Sequence, residues 1–323
     1  MRKLVIGEQL INAGESKQIN FNIARLPSRT SIDTPVFIHR AKEDGPTVLL
    51  LAGLHGDEIN GIEILRRLVK DTDINLKKGS VISIPIVNIY GFLNYSRALP
   101  DGKDINRSFP GSLRGSLAGR VAHFLVEEIL PHIDFGMDFH TGGDSRTNYP
   151  QIRCVFDEEN LAYAEAFGAH FILNAPFRPK SLRKQADLMG HKKVIVYEGG
   201  ESMRFDEYAI EEGVNGCLRV LQKMGMVENA PRPVKNSIVL NGSSWIRARF
   251  AGLFHAFVKS GDFIEKGQVV GEITDPFGDF NASVKAARDG YVIGLNNNPV
   301  VNAGDALLHI GVIAPGEKFS SED

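Results

Sequence analysis

Residues 47–58 have the sequence TVLLLAGLHGDE, a continuous apolar run that ends in a short segment with glycine, histidine and acidic residues. Continuous apolar runs of this length are typical of strands that are buried on both faces. The next segment places Ile59, Ile62, Leu65 and Val69 at helical spacing. A buried strand that leads into an amphipathic helix predicts an α/β unit, and the polar residues after such a strand lie where catalytic groups gather.

The same alternation of strand and helix patterns continues to about residue 224. Pro85 interrupts the first of the later strand patterns, which suggests an edge or irregular position for that strand. We therefore predict an α/β domain whose sheet has many parallel strands and is flanked by helices. The strand patterns cover residues 80–92, 134–143, 152–156, 170–173 and 193–200, and the further helix patterns cover 118–129 and 210–224.

The pattern of residue types along the sequence changes after Glu228. Residues 229–236, NAPRPVKN, have two prolines and no periodicity, which is typical of a linker. Beyond them, short strand patterns alternate with glycine and aspartate, and residues 258–267 and 300–311 form a weak repeat. We therefore predict two domains, a catalytic domain over 1–228 and a small β-barrel over 229–323.

Composition excludes several classes of function. The 323 residues have a formal net charge of −2 and a pI near 6.5, which gives no basic field for nucleic acid and no polybasic membrane anchor. The first 16 residues contain no long apolar run, so we expect no signal peptide, no membrane span and a cytoplasmic location. Cys154 and Cys217 lie singly in apolar segments and are expected to be small buried residues.

A candidate metal site begins in the first strand–helix unit. His55 and Glu58 are three residues apart directly after the buried strand, so both side chains can reach one ion. His140, in DFHTGG, follows another apolar strand pattern and is the candidate third ligand. Two imidazoles and one carboxylate leave a coordination position open, which is typical of a catalytic zinc site. His-x-x-Glu alone is common by chance, so this prediction depends on the other motifs.

A long polar loop, residues 87–111, offers a candidate substrate clamp. It contains Asn106 and Arg107, and arginine binds carboxylates through two parallel hydrogen bonds. Loops of this length within a compact domain are usually functional or disordered. The alternative is that Arg107 pairs with Asp101 or Asp104 and has only a structural role.

The strand pattern that starts at residue 193 ends in a candidate general base. Glu198 is the first polar residue after the apolar run, and Gly199 and Gly200 follow it. A carboxylate at the mouth of a metal site can take a proton from water and pass it to a leaving amine. Glu201 is a second candidate, and periodicity does not separate the two.

Taken together, GLHGDE, DGKDINRSFPG, DFHTGG and the Glu-Gly-Gly segment resemble the succinylglutamate desuccinylase/aspartoacylase family, in the clan of zinc carboxypeptidases. The resemblance covers roughly residues 45–225, with the motifs in family order. It implies a mixed, mostly parallel sheet flanked by helices, and one zinc ion per chain. Its implied site consists of zinc ligands His55, Glu58 and His140, the oxyanion-stabilising Arg97, the carboxylate-binding Asn106 and Arg107, and the general acid/base Glu198. Glu198 departs slightly from the family pattern, because Gly-Gly follows it without an intervening residue.

The implied activity is hydrolysis of the amide bond of a small N-acyl amino acid, a carbon–nitrogen bond other than a peptide bond. Two alternatives stay open: a zinc carboxypeptidase that acts on short acidic peptides, and a binding protein that keeps the metal without catalysis. A second substrate carboxylate would need more cations. Arg178 and Arg183, in residues 175–184, could supply them or could belong to a solvated basic loop.

The second domain resembles the barrel that follows the catalytic domain in this family, which is related in shape to biotinyl and lipoyl domains. Carrier domains of that kind need a lysine at an exposed hairpin tip. Residues 273–290 have no lysine in the DPFGDF turn, and Lys285 lies in a strand-like run. We therefore expect no carrier role, and a barrel that shapes the active-site entrance or a contact in a homo-oligomer.

Overall fold

The computed structural model describes residues 3–70 and 74–313. The strands before residue 229 are β1 (Leu4–Ile6), β2 (Gln9–Ile11), β3 (Ser16–Arg25), β4 (Ser31–Arg40), β5 (Glu43–Ala52), β6 (Lys78–Ile84), β7 (Phe135–Gly142), β8 (Arg146–Cys154), β9 (Phe171–Asn174) and β10 (Lys193–Glu201). The helices are α1 (Ile59–Lys70), α2 (Ile89–Leu93), α3 (Leu117–Phe124), α4 (Glu158–Phe167), α5 (Leu182–Leu188) and α6 (Glu207–Lys223), and Leu125–Ile129 continues α3 as a π-helical turn.

One large mixed sheet organises this part of the chain. Its centre, in the order β10-β7-β5-β6, consists of parallel pairs. β4 and β3 extend it beyond β6 as antiparallel strands, and β8 pairs antiparallel with the other side of β10. The predicted α/β class, a mixed sheet flanked by helices, is confirmed.

Both faces of the central strands are buried. Leu49 and Leu51 of β5 belong to one apolar cluster with α3 and α5, whereas Val48 and Leu50 belong to a second cluster with α1, α4 and α6. Successive side chains of a strand point to opposite faces, so a continuous apolar run fills two cores at once. Cys154 and Cys217 are fully buried in the second cluster, as expected.

Three sequence predictions differ from the structure in detail. The predicted strand 80–92 ends at Ile84, because Asn88 caps α2 through a 2.8 Å hydrogen bond from Gly91 N–H. Pro85 follows a strand that is paired on both sides, so β6 is not an edge strand. Helix α1 is confirmed, but Val69 on its predicted apolar face is exposed.

The sequence pattern also misses helices α4 and α5, and it predicts none of strands β1–β4. They are antiparallel strands, and β3 and β4 extend the sheet beyond β6. No helix among the described residues is long and apolar enough to cross a membrane.

The C-terminal segment is built from strands. They are β11 (Ile238–Leu240), β12 (Gly242–Arg247), β13 (Gly252–Ala256), β14 (Phe263–Ile264), β15 (Val269–Thr274), β16 (Asn281–Lys285), β17 (Gly290–Asn296), β18 (Val300–Val301) and β19 (Ala306–Val312). β16, β15, β13 and β18 form a four-stranded antiparallel sheet, whose buried apolar residues share one core with residues of β17 and β19. Lys285 is the last residue of β16, in agreement with its predicted place in a strand.

Two strand pairs join this segment to the large sheet. β17 pairs antiparallel with β8, and β11 pairs parallel with β9. β19 and β12 then extend the large sheet beyond β17. The C-terminal segment therefore lies beside the strands that carry the candidate site, and the division at residue 228 stays a prediction.

Candidate active site

Three predicted ligands meet at the carboxyl ends of β5 and β7. His55 Nδ1 lies 2.8 Å from Glu58 Oε1, and His140 Nδ1 lies 2.7 Å from Glu58 Oε2. The two Nδ1 atoms are 3.2 Å apart, and all three side chains are buried. One nitrogen from each histidine and one carboxylate therefore converge, and the three residues form a candidate metal site.

The other nitrogen of each histidine faces a carboxylate. His55 Nε2 is 3.3 Å from Asp104 Oδ1, and His140 Nε2 is 2.8 Å from Asp138 Oδ2. Histidines that bind metals usually donate their second ring N–H to such a partner, which orients the ring and fixes its tautomer. The hydrogen bond to Asp104 therefore arranges His55 to present Nδ1 to a cation, whereas His140 Nε2 lies close to Asp138 without forming a hydrogen bond.

The carboxylates of the cluster are held in the charged form. Burial opposes this for Glu58, but the adjacent His55 and His140 outweigh it and hold the pKa of Glu58 well below its usual range. Burial likewise opposes ionisation of Asp104, and contacts with His55 and Arg97 lower the pKa of that carboxyl. Buried carboxylates and imidazoles of this kind fit a divalent metal ion.

Close backbone contacts bring the 87–111 loop to the cluster. Gly56 packs against α2, where an added Cβ would lie 2.0 Å from the carbonyl carbon of Gly91, so a larger residue would separate the two segments. Asn88 donates from Nδ2 to the Arg97 carbonyl at 3.1 Å. The guanidinium of Arg97 donates to Glu58 at 3.1 Å and to Asp104 at 3.0 Å. Arg97 therefore lies directly beside the candidate metal site, where its charge can act on the reacting group.

The predicted clamp residues line a cavity of about 700 Å³ that opens from the cluster. Asn106 Oδ1 accepts a hydrogen bond from Leu182 N–H at 2.9 Å, which ties the loop to α5. The clamp role of Arg107 stays a prediction, and its Nη1 donates to the carbonyl oxygen of Asn106 at 2.6 Å. Arg107 forms no ion pair with Asp101 or Asp104 among the described residues. Asp104 binds Arg97 instead.

Arg178 and Arg183 line the same cavity. Arg183 donates to the carbonyl oxygens of Ala175 and Pro176, at 3.1 and 3.4 Å. Burial and the nearby charge of Arg178 lower the pKa of Arg107, although Asp104 opposes them. Arg107 and Arg178 are exposed and Arg183 is partly buried, so these arginines form a solvated cationic wall of the cavity, and their role in binding substrate stays a prediction.

A β-bulge separates the two candidate bases. Glu198 is in register with His140 on the adjacent strand, and the register shifts before Glu201. Gly200, at the shift, has a φ of +79°, which favours glycine. Glu198 lines the cavity, whereas Glu201 lies outside the cavity lining and accepts a 2.8 Å hydrogen bond from Asn297.

Sequence reasoning missed part of the site. Asp138 lies in DFHTGG and Asp104 lies in DGKDINRSFPG, two of the motifs that indicated the family. Neither residue was assigned a role in the metal site from the sequence. The C-terminal segment also supplies Ser243, Trp245 and His309 to the cavity wall, and their sequence carries no motif that predicts this. The Trp245 ring stacks on His309 with a centroid distance of 4.3 Å.

A buried His-Glu-His cluster at the carboxyl edge of parallel strands, beside a cavity rich in arginine, defines the class of metal-dependent hydrolases. Residues 44–224 match the succinylglutamate desuccinylase/aspartoacylase catalytic domain. The chain belongs to the succinylglutamate desuccinylase/aspartoacylase family, as its motifs predicted.

Individual relatives agree with this assignment. The chain is 30% identical over 286 residues to N-alpha-acetyl-L-2,4-diaminobutyric acid deacetylase of Halomonas elongata, covering 84% of this chain and 83% of the relative. A succinylglutamate desuccinylase/aspartoacylase structure from Rhodobacter sphaeroides has a TM-score of 0.82 at 27% identity, covering 94% of this chain and 96% of that one. The product-bound ectoine utilization protein EutE (DoeB) of Ruegeria pomeroyi shares the fold, with a TM-score of 0.83 at 22% identity over 92% of this chain and 95% of that one.

Proposed function

We propose that this protein is a zinc-dependent hydrolase that removes the acyl group from an N-acyl amino acid. The observation that carries the proposal is the convergence of His55 Nδ1, His140 Nδ1 and the Glu58 carboxylate at one edge of the cavity. Two nitrogen ligands and one oxygen ligand suit zinc, and one zinc ion per chain would fill the site. Zinc bound there would polarise the amide carbonyl and make water more acidic.

The side chains around the cluster provide the remaining functions. Glu198 is the proposed general base, which takes a proton from the attacking water and returns it to the leaving amine. Arg97 is proposed to stabilise the negative charge that develops on the carbonyl oxygen. Asn106 and Arg107 are proposed to bind the α-carboxylate of the substrate, because an arginine fork matches a carboxylate.

The charge of the cavity favours an anionic substrate. Six arginines line it, against three carboxylates among the described residues. Arg107, Arg178 and Arg183 have no carboxylate partner within the described part of the chain, and one α-carboxylate needs no more than two of them. We therefore propose that Arg178 and Arg183 receive a second carboxylate, on the side chain or on the acyl group. The H. elongata relative is named for a substrate with a second amine instead, and the three arginines without carboxylate partners would repel that group.

A substrate panel tests the proposal. It contains N-acetylaspartate, N-succinylglutamate, Nα-acetyl-2,4-diaminobutyrate, N-acetylalanine and short acidic peptides, and the assay measures release of free amine. The expected result is hydrolysis that stops with a chelator, returns with zinc, and is fastest for an N-acyl amino acid with a second carboxylate. Fastest cleavage of peptides would establish a carboxypeptidase, and zinc binding without any hydrolysis would establish a binding protein. Preference for the diaminobutyrate would refute the second-carboxylate assignment alone.

A further inference from the structure

The carboxylate of Glu198 is held through both of its oxygens. Asn148 Nδ2 donates to Oε2 at 2.7 Å, and the Arg153 guanidinium lies 3.0 Å from Oε1. Both partners belong to β8, the antiparallel neighbour of β10, where Glu198 is in register with Gln151. Asn148 and Arg153 line the cavity beside Glu198, and Gln151 lies on the same strand, β8.

Gln151 connects this pair to the C-terminal segment. It is fully buried, and its Oε1 accepts a hydrogen bond from Arg153 Nε at 3.2 Å. Its Nε2 donates to the carbonyl oxygen of Ile293, in β17, at 2.9 Å. A continuous set of contacts therefore runs from the backbone of β17 through Gln151 and Arg153 to Glu198.

β17 also contacts the second partner. Gly294 is in register with Asn148, and a Cβ added to Gly294 would lie 2.9 Å from Asn148 Oδ1. Asn148 itself is 6% exposed, so its amide has little freedom to turn away from Glu198. The two anchors of Glu198 are thus both held by the same strand of the C-terminal segment.

We infer that Asn148 and Arg153 are positioning residues for Glu198, and that Gln151 and β17 hold them in place. This inference rests on the proposed function, because it takes Glu198 as the general base. A glutamate side chain has three rotatable bonds, and a base acts only within hydrogen-bond reach of the proton that it takes. Donors on both oxygens restrict the carboxylate to one position at the cavity wall, which is how a supporting residue contributes to rate.

The test compares Arg153→Met, Arg153→Lys and Asn148→Ala with a matched control. Asn297→Ala is that control, because Asn297 Nδ2 donates to Glu201 at 2.8 Å much as Asn148 donates to Glu198. Each variant is analysed as the full zinc-loaded chain for kcat, KM, zinc content and thermal midpoint. The substrate is the one that the wild-type protein hydrolyses fastest.

Arg153→Met and Asn148→Ala are expected to lower kcat by about tenfold to a hundredfold, with KM within about threefold and zinc content unchanged. Arg153→Lys should recover part of the loss, since its ammonium can still reach Oε1 but cannot bind Gln151 in the same way. The control should keep wild-type kcat. A rise in KM with unchanged kcat would overturn the inference, because it would make Arg153 a substrate ligand.

A double variant separates positioning from general structural damage. If Arg153 acts through Glu198, adding Arg153→Met to Glu198→Gln should cause no further loss of kcat, whereas independent effects would multiply. Multiplied losses would overturn the inference. The proposed function fails separately: full activity of Glu198→Gln would refute the base, whereas an inactive Glu198→Gln beside a fully active Arg153→Met would refute the positioning role alone.

Discussion

Replacing Glu198 by glutamine removes the proposed base and leaves the shape of the side chain unchanged. In the structure one carboxylate oxygen faces Arg153 at 3.0 Å and the other accepts from Asn148 at 2.7 Å. The glutamine oxygen can take over the contact with Arg153. Its amide group then lies against the Asn148 amide, donor against donor, so one hydrogen bond is lost.

The structure indicates how large each effect should be. Loss of one partly buried hydrogen bond and of the carboxylate partner of Arg153 should cost about 1–3 kcal/mol of folding free energy. Loss of a general base should lower kcat by roughly two to four orders of magnitude, or about 3–5 kcal/mol of transition-state stabilisation. Among the described residues, no hydrogen bond or ion pair joins the Glu198 side chain to the three proposed ligands, so zinc content should stay at the wild-type level.

The assay follows amine release at saturating substrate, with zinc content and thermal midpoint measured on the same preparation. Glu201→Gln is the matched control, because Glu201 lies beyond the bulge at Gly200 and binds Asn297 rather than a cavity residue. It should keep kcat within about threefold, because Glu201 is not among the residues that line the cavity. An inactive Glu201→Gln beside an active Glu198→Gln would show that Glu201 is the base and that the argument from strand register is wrong.

Three further predictions address the metal, the arginines and the effect of acid. Alanine in place of any one of the three proposed ligands should lower zinc occupancy and abolish hydrolysis, and a zinc-free protein with full activity would end the metal proposal. Arg107→Ala should mainly raise KM, because Arg107 is proposed to bind substrate in ground and transition states alike, whereas Arg97→Ala should lower kcat by about two to three orders of magnitude; the reverse pattern would exchange their roles. Burial, with the charges of Arg153 and Arg178, lowers the pKa of His309 to about 3. In the unfolded chain this histidine has a pKa of about 6.5, so as the pH falls the unfolded chain takes up a proton before the folded protein does. The free energy of unfolding therefore decreases between pH 6.5 and pH 3, by about 2–3 kcal/mol near pH 4.5. In His309→Gln the urea midpoint of unfolding should decrease less between pH 6.5 and 4.5 than in the wild-type protein. An equal decrease in both proteins would show that other groups cause the loss of stability in acid.

The sequence was most informative where a buried strand is followed directly by polar residues of the candidate site. The run 47–52 is apolar on both faces because both faces are covered, so its burial in the sheet was predictable from its composition. His55 and Glu58 come directly after it, and strand ends are where α/β sheets gather polar groups. The third ligand was predictable for the same reason, since His140 stands near the end of another buried strand.

Contacts made across strands were not predictable in this way. Nothing in the spacing of Asn148 and Arg153 shows that they flank Glu198, because that depends on the register between β8 and β10. The burial of β3 alternates only weakly along the strand, and β4 joins the large sheet through β6, which is distant in the sequence. Trp245 and His309 reach the cavity only because β12 and β19 continue the large sheet, which no local pattern encodes.

The buried part of the site and the outer wall of the cavity carry opposite charges, so one suits a metal ion and the other an anionic substrate. Glu58 and Asp138 are buried at the cluster, and Asp104 is partly buried beside it, so the inner part of the site is anionic and suits a cation. The outer wall has the opposite sign, because Arg107 and Arg178 lie there without carboxylate partners among the described residues. Arg97 contacts the inner carboxylates and so separates the two regions. The proposed anionic substrate would therefore be attracted to the outer wall of the cavity. Glu198, the proposed general base, lies on this wall with its carboxylate 3.0 Å from the Arg153 guanidinium.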